Sequence, residues 1–297
     1  MIECPIELRP MANTQTRRRR KLGLYLQELR KKAGRTPDDV ADLLGISRPT
    51  VNRTESGHTR CRRAELQAVL GYYGASEDER AKAVQLWEDA KDDATKIRFP
   101  ARSSSAFRNF LQAEAEATSL DALDPYLVSG LLQTPDYAHA VQSAVALPFE
   151  ESETDVGQYV TSRLDRQRRL TGEKSLIMRA FLDESVLTRE VGGAKVMAGQ
   201  LRHLLDLGAR ENIEIRIVPF GAGAYGPMSG GVAILGFGDP EDPPAVYLEH
   251  AGGGIWVEDE EAVQRYVHMI SELEAVASSE SASAELIQNK LKAFERR

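Results

Sequence analysis

The stretch TPDDVADLLGISRPTVNRTESG, residues 36–57, restricts the chain path more tightly than any other part of the sequence. Thr36 can accept hydrogen bonds from the first amides of a helix. Pro37 suits the first helical position, and Asp38 and Asp39 fall in the electropositive first turn. Val40, Leu43 and Leu44 give this helix one apolar face, and Gly45 suits a left-handed C-cap. Ser47 then caps a second short helix that runs to about Glu55 and stops at Gly57, with Ile46 and Val51 turned back toward a core. Upstream, Leu22, Leu26, Leu29 and Ala33 recur at helical spacing before Gly34. Downstream, helices are expected over 64–73 and 77–94, the latter opened by a capping box of Ser76 and Glu79. The expectation is a compact all-α unit over residues 21–96.

With the apolar faces buried and the small Ala41 at the helix crossing, the pattern meets the steric demands of a helix-turn-helix. Its second helix presents Ser47, Arg48, Pro49, Thr50, Asn52 and Arg53 outward, residue types that reach base edges and phosphates in the major groove of double-stranded DNA. Arg60, Arg62 and Arg63 flank it. A three-helix packing unit with no such role would leave this arginine-rich face unexplained. The segment resembles the lambda-repressor-like (XRE) family of DNA-binding domains. Pro37 departs from the glutamine frequent at that position, and Thr54 from the usual Ile or Leu, where its hydroxyl can bond back to the backbone.

Charge follows the same division. Residues 1–63 hold 15 Lys+Arg against 7 Asp+Glu, whereas the remaining 234 hold 23 against 38. A basic end on an acidic body suits phosphate binding by that end alone. Residues 1–20 read as a flexible basic leader, and the run Arg17, Arg18, Arg19, Arg20 and Lys21 is expected to add salt-dependent affinity. No run of about 18 apolar residues and no signal-peptide pattern is found, so a cytoplasmic protein without a membrane partner is expected. Cys4 and Cys61 lack metal-knuckle or disulfide spacing and read as free thiols.

A polar, proline-bearing linker, residues 97–105, leads to a second region over 106–297. Helices are expected near 106–118, 134–145, 154–171, 194–210, 259–277 and 283–295. Strands are expected over 175–182, 213–220 and in GGVAILGF, PAVYLEH and GGGIWVE. This is α+β rather than a regular βαβ winding. The fold class is thus an all-α helix-turn-helix domain followed by a larger α+β domain.

Enzyme signals are weak. GAGAYG (221–226) matches a dinucleotide-loop spacing, but a strand-like run follows where a phosphate-binding helix should start. The five histidines show no paired ligand spacing. The acidic run 258–261 suits a helix start. No catalytic residue, cofactor or metal is expected.

The segments SGLLQTPDYAHAV, SRLDRQRRL, FLDESVL, VMAGQLRHLLDL and IVPFGAGAYG, in that order, resemble the C-terminal domain of actinobacterial WhiJ-like regulators, with Ser129 where that family usually has proline. The resemblance implies an antitoxin-like transcriptional regulator, with a small protein of the BldB-like or adjacent-gene type as partner. Gln133, Thr134, Arg163, Arg166 and Gln167 are candidates for a partner or ligand site, because the last three share a helix face. The alternative is that they tie the domain together internally. Paired half-sites, and hence a homodimer, would supply the specificity that one short reading helix lacks. A second function class remains open: sequestration of a small partner, with DNA binding serving autoregulation.

Overall fold

The computed structural model describes residues 17–90, 103–146, 153–226, 228–238, 242–250 and 253–297. The chain divides into two compact units, residues 1–96 and 97–297. Residues 1–16 and most of the expected linker lie outside the described residues.

The first unit is five helices: α1 (Arg17–Lys32), α2 (Pro37–Leu44), α3 (Arg48–Glu55), α4 (Arg63–Tyr72) and α5 (Glu77–Asp89). The expected N-caps of α2 and α5 form. The Thr36 hydroxyl accepts from the Asp39 amide while the Asp39 carboxylate accepts from the Thr36 amide, and Ser76 and Glu79 do the same for α5. Gly45 takes φ +64°, and the Ile46 amide donates to the Ala41 carbonyl, so α2 ends in a tight left-handed turn. Leu22, Leu26, Leu29, Val40, Ala41, Val51, Leu66, Leu70, Leu86 and Trp87 form one core. The Trp87 indole donates to the Cys61 carbonyl at 2.8 Å, which satisfies its polar edge inside that core.

The helix start corrects the expected leader. Arg17 to Arg20 are the first turn of α1, not part of a flexible arm. Arginine is a good helix former, and this turn is held by packing against the end of α3. At Gly23 an added Cβ would stand 2.4 Å from the Glu55 carbonyl oxygen, and at Gly57 2.5 Å from the Arg20 Cα, so backbones touch at both points.

The second unit is a mixed six-stranded sheet between helical layers. Its elements are α6 (Ser105–Glu116), β1 (Ser119–Asp124), α7 (Pro135–Ala146), α8 (Glu153–Gln167), β2 (Ile177–Asp183), α9 (Glu184–Thr188), α10 (Ala194–Gly208), β3 (Ile213–Val218), β4 (Gly231–Gly236), β5 (Ala245–His250), β6 (Gly253–Val257), α11 (Glu260–Val276) and α12 (Glu280–Glu295). The strand order is β3-β2-β1-β4-β5-β6. β1, β2 and β3 are parallel and joined by helical crossovers, while β4, β5 and β6 continue antiparallel from β1. One half of the α+β sheet therefore carries the βαβ winding that the sequence pattern had not revealed.

Alternation along the strands divides the core. Leu120, Ala122, Met178, Ala180, Leu182, Ile213, Ile215 and Ile217 face the layer containing α6, α7, α10 and α12. Leu123, Phe181, Val218, Val232, Ile234 and Val246 pack under Val263, Ile270 and Leu273 of α11.

Candidate nucleic-acid interface

The turn after α2 aims α3. Val51 is buried against the core, and four of the six expected contact residues, Arg48, Pro49, Asn52 and Arg53, lie exposed on the opposite side of the helix. Ser47 is exposed at the N-cap position, and Thr50 is half-buried. The Ser47 hydroxyl does not cap the helix backbone; it pairs with the Thr50 hydroxyl at 2.9 Å. Arg53 Nη2 donates to that same Thr50 oxygen at 3.2 Å, so the three polar side chains are pre-arranged along one edge. Arg48 faces Asp38 at 3.2 Å, with both side chains 59% exposed, a pairing weak enough in water for a phosphate or guanine to replace. Thr54 uses its hydroxyl as expected for a residue replacing an aliphatic one, donating to the Thr50 carbonyl at 3.1 Å.

The flanking cations are placed less uniformly. Arg60 stacks on the Trp87 ring at 4.4 Å and donates to the Trp87 carbonyl, so it is engaged with the core. Arg62 is largely exposed beside Glu65, and Arg63 lies 3.9 Å from Glu88. Arg18 donates to the Asp89 carbonyl and ties α1 to α5. Arg19, Arg20 and Lys21 are half-buried on α1, and the side chain of Arg17 is outside the described residues.

An ion pair that sequence reasoning missed fixes α3. Arg30 of α1 donates from Nε and Nη2 to both Glu55 oxygens, at 2.6 and 2.8 Å, and from Nη1 to the Arg35 carbonyl. Both side chains are under 10% exposed. The signal was available: Glu55 follows Val51 by four residues and Arg30 follows Leu26 by four, so each charge falls on a buried helical stripe.

In the second unit, the five candidate residues are drawn into a network. Gln133, 3% exposed, donates to the Val128 carbonyl at 2.6 Å, accepts from Arg163, and lends its own carbonyl to Gln167 at 2.5 Å. Thr134 caps α7, and its amide donates to the buried Gln200. Arg166 makes a two-pronged pair with the buried Glu114, both bonds 2.6 Å. Burial alone would lower the Arg166 pKa, but Glu114 outweighs it and the net shift is upward.

Sequence reasoning also missed Asp124, at the end of β1. Burial pushes its carboxyl up to about 7, with the nearby Glu249 adding to the rise and a hydrogen bond from Ser129 opposing it. Burial likewise lowers Arg163, to about 10, with Arg166 contributing in the same direction. The glycine loop 221–226 passes through a short turn at Phe220–Ala222 and on toward β4, a strand, so no helix N-terminus follows it. Among the described residues, no group of three or more His, Cys, Asp and Glu is placed to hold a metal. No helix there is long and apolar enough to cross a membrane.

Comparison with family models finds a helix-turn-helix domain over residues 21–83 and a domain of unknown function, DUF5753, over residues 107–289. The second match alone spans more than half of the chain. The chain belongs to the DUF5753 family. The helix-turn-helix match covers α1 through α4 and the start of α5, so the DUF5753 protein joins a DNA-binding type of domain to the mixed-sheet unit. No curated protein and no solved structure matches this DUF5753 chain.

Proposed function

We propose that the protein is a sequence-specific transcriptional regulator, a repressor, that binds a double-stranded DNA operator as a homodimer and is controlled through its second unit by a small protein partner or ligand. One observation carries the DNA-binding part: α3 sits behind a left-handed Gly45 turn with Arg48, Pro49, Asn52 and Arg53 exposed along its outer side. Partner control, as in the WhiJ-like regulators the sequence resembles, is supported by a surface feature of the second unit. The loops beyond β1 and β3 expose Tyr126 (52%), Phe220 (59%) and Met228 (41%), and the Tyr126 hydroxyl donates to the Met228 carbonyl. Large apolar side chains left in the open are what a docking chain would cover.

The test is fluorescence anisotropy on the promoter of the protein's own gene. Arg53→Ala is expected to weaken specific binding by about 1–3 kcal/mol, the range for a lost bidentate guanine contact, and Arg48→Ala to act similarly. Unchanged affinity in the folded double variant would remove α3 from the role of reader. Masking of a partner's activity that survives the double variant would favour an antitoxin-like sequestration role instead.

A further inference from the structure

Ser47, Thr50 and Arg53 follow one another at helical spacing, so they share one edge of α3. Ser47 occupies the N-cap position, where a serine hydroxyl ordinarily accepts from an amide of the first turn. Here it makes no such bond. It lies 2.9 Å from the Thr50 hydroxyl instead, and the Thr50 amide donates to the Ser47 carbonyl. Arg53 Nη2 donates to that same Thr50 oxygen at 3.2 Å. One hydroxyl, on a half-buried residue, therefore joins the side chains of two exposed ones.

Thr50 is built to stay in place. Its branched Cβ restricts χ1, and its carbonyl accepts from the Thr54 hydroxyl at 3.1 Å, one turn further on. Its oxygen accepts from Arg53 and still has a proton of its own to give to Ser47. An arginine gives up rotamer freedom when it docks on a base, and that cost falls for a side chain already held. Thr50 holds Arg53 without opposing its charge, because a hydroxyl is a neutral acceptor. It occupies one guanidinium N–H and leaves the others for a guanine edge. Arg48 is held differently: its partner Asp38, on α2, is a carboxylate that DNA has to displace.

We propose that Thr50 is a positioning residue for sequence recognition: its hydroxyl aims Arg53 at a guanine and makes no contact with DNA itself. The inference rests on the DNA-binding role of α3 proposed above and deepens it, separating the residue that reads a base from the one that orients it. Sequence pattern alone had placed Thr50 among the contact residues.

The experiment is a double-mutant cycle on the full chain, read by fluorescence anisotropy with a duplex from the promoter of the protein's own gene and a random duplex of equal length. Thr50→Val keeps the branched shape and removes the hydroxyl, whereas Thr50→Ser keeps the hydroxyl and removes the methyl. Thr50→Val is expected to weaken promoter binding about three- to tenfold, to leave the random duplex unaffected, and to add nothing in an Arg53→Ala background. Thr50→Ser is expected to stay within about twofold of the parent protein. An equal or larger loss in Thr50→Ser would make the methyl group the active part and overturn the proposal. A Thr50→Val effect that persists in Arg53→Ala protein would mean that the hydroxyl meets DNA directly, which is equally fatal. Should Arg53→Ala leave promoter binding unchanged, the role of α3 and that of Thr50 fall together; an effect of Arg53→Ala with none of Thr50→Val removes Thr50 alone. Thermal unfolding shows that folded proteins are compared, and if Thr50→Val does not fold, Thr50→Ala, a better helix former, takes its place in the cycle.

Discussion

Arg30 and Glu55 place two charges inside apolar helix packing, and removing one differs in consequence from removing both. Glu55→Ala leaves a buried guanidinium without its carboxylate, so the helical unit is expected to lose about 3–5 kcal/mol. Arg30→Met with Glu55→Met removes both charges and is expected to lose far less. Denaturant unfolding of the three proteins checks the order. Asp124 adds a pH dependence of definite sign. Its folded pKa, about 7, stands above the ordinary 3.8, so the folded state holds the proton more tightly. Its contribution is full below about pH 4, declines as pH rises toward 7 and is flat beyond, the whole span bounded by about 4 kcal/mol. Asp124→Asn should abolish that slope in unfolding measured from pH 4 to 8. Neither residue was visible as special in the sequence. Glu55 lies within a run of polar residues, and Asp124 becomes buried only when α7 and α8 fold over the end of β1. The Thr54 hydroxyl bond, in contrast, was legible because its partner lies one turn back on the same helix.

Local signals serve elements well when the cause is local. The Thr36 N-cap of α2 and the Gly45 turn are set within a few residues and appear where the sequence places them. β1 is the opposite case. SLDALD carries little strand signal, since its short alternation is interrupted by two aspartates, one of which, Asp121, pairs with Arg179 on β2. It is nonetheless the strand on which the parallel and antiparallel halves of the sheet join. The start of α1 was hidden for a related reason, its stabilising contacts lying on α3. This makes Gly23 a test. On propensity alone Gly23→Ala should stabilise a helix by about 1 kcal/mol. Here the added methyl meets the Glu55 and Thr54 carbonyl oxygens at 2.4 and 2.6 Å, atoms that cannot turn aside. The expected outcome is a net loss of about 1–3 kcal/mol as α1 is pushed off α3. Thermal melts followed by circular dichroism decide the sign.

At the scale of the whole molecule, the two units carry net charge of opposite sign. Residues 1–96 hold 19 Lys+Arg against 15 Asp+Glu, with the basic excess concentrated before residue 64, and residues 97–297 hold 19 against 30. Phosphate contacts bring affinity through counterion release, so each Lys or Arg that neutralises a phosphate adds about 0.9 to the slope of log K against log salt. Arg20→Gln is therefore expected to reduce that slope by about one and weaken all DNA sequences alike, in contrast to Arg53→Ala, which should act chiefly on the operator. The acidic unit should lower non-sequence-specific binding through its field, an effect screened over roughly 8 Å at physiological salt. A fragment of residues 1–96 is thus expected to bind random duplex more tightly than the full chain at 50 mM salt, with the difference shrinking toward 300 mM. Anisotropy titrations of both proteins at the two salt levels measure this directly. Equal non-specific affinity at low salt would mean that the negative charge of the second unit is not felt at the DNA, and that selectivity for an operator rests on the α3 contacts alone.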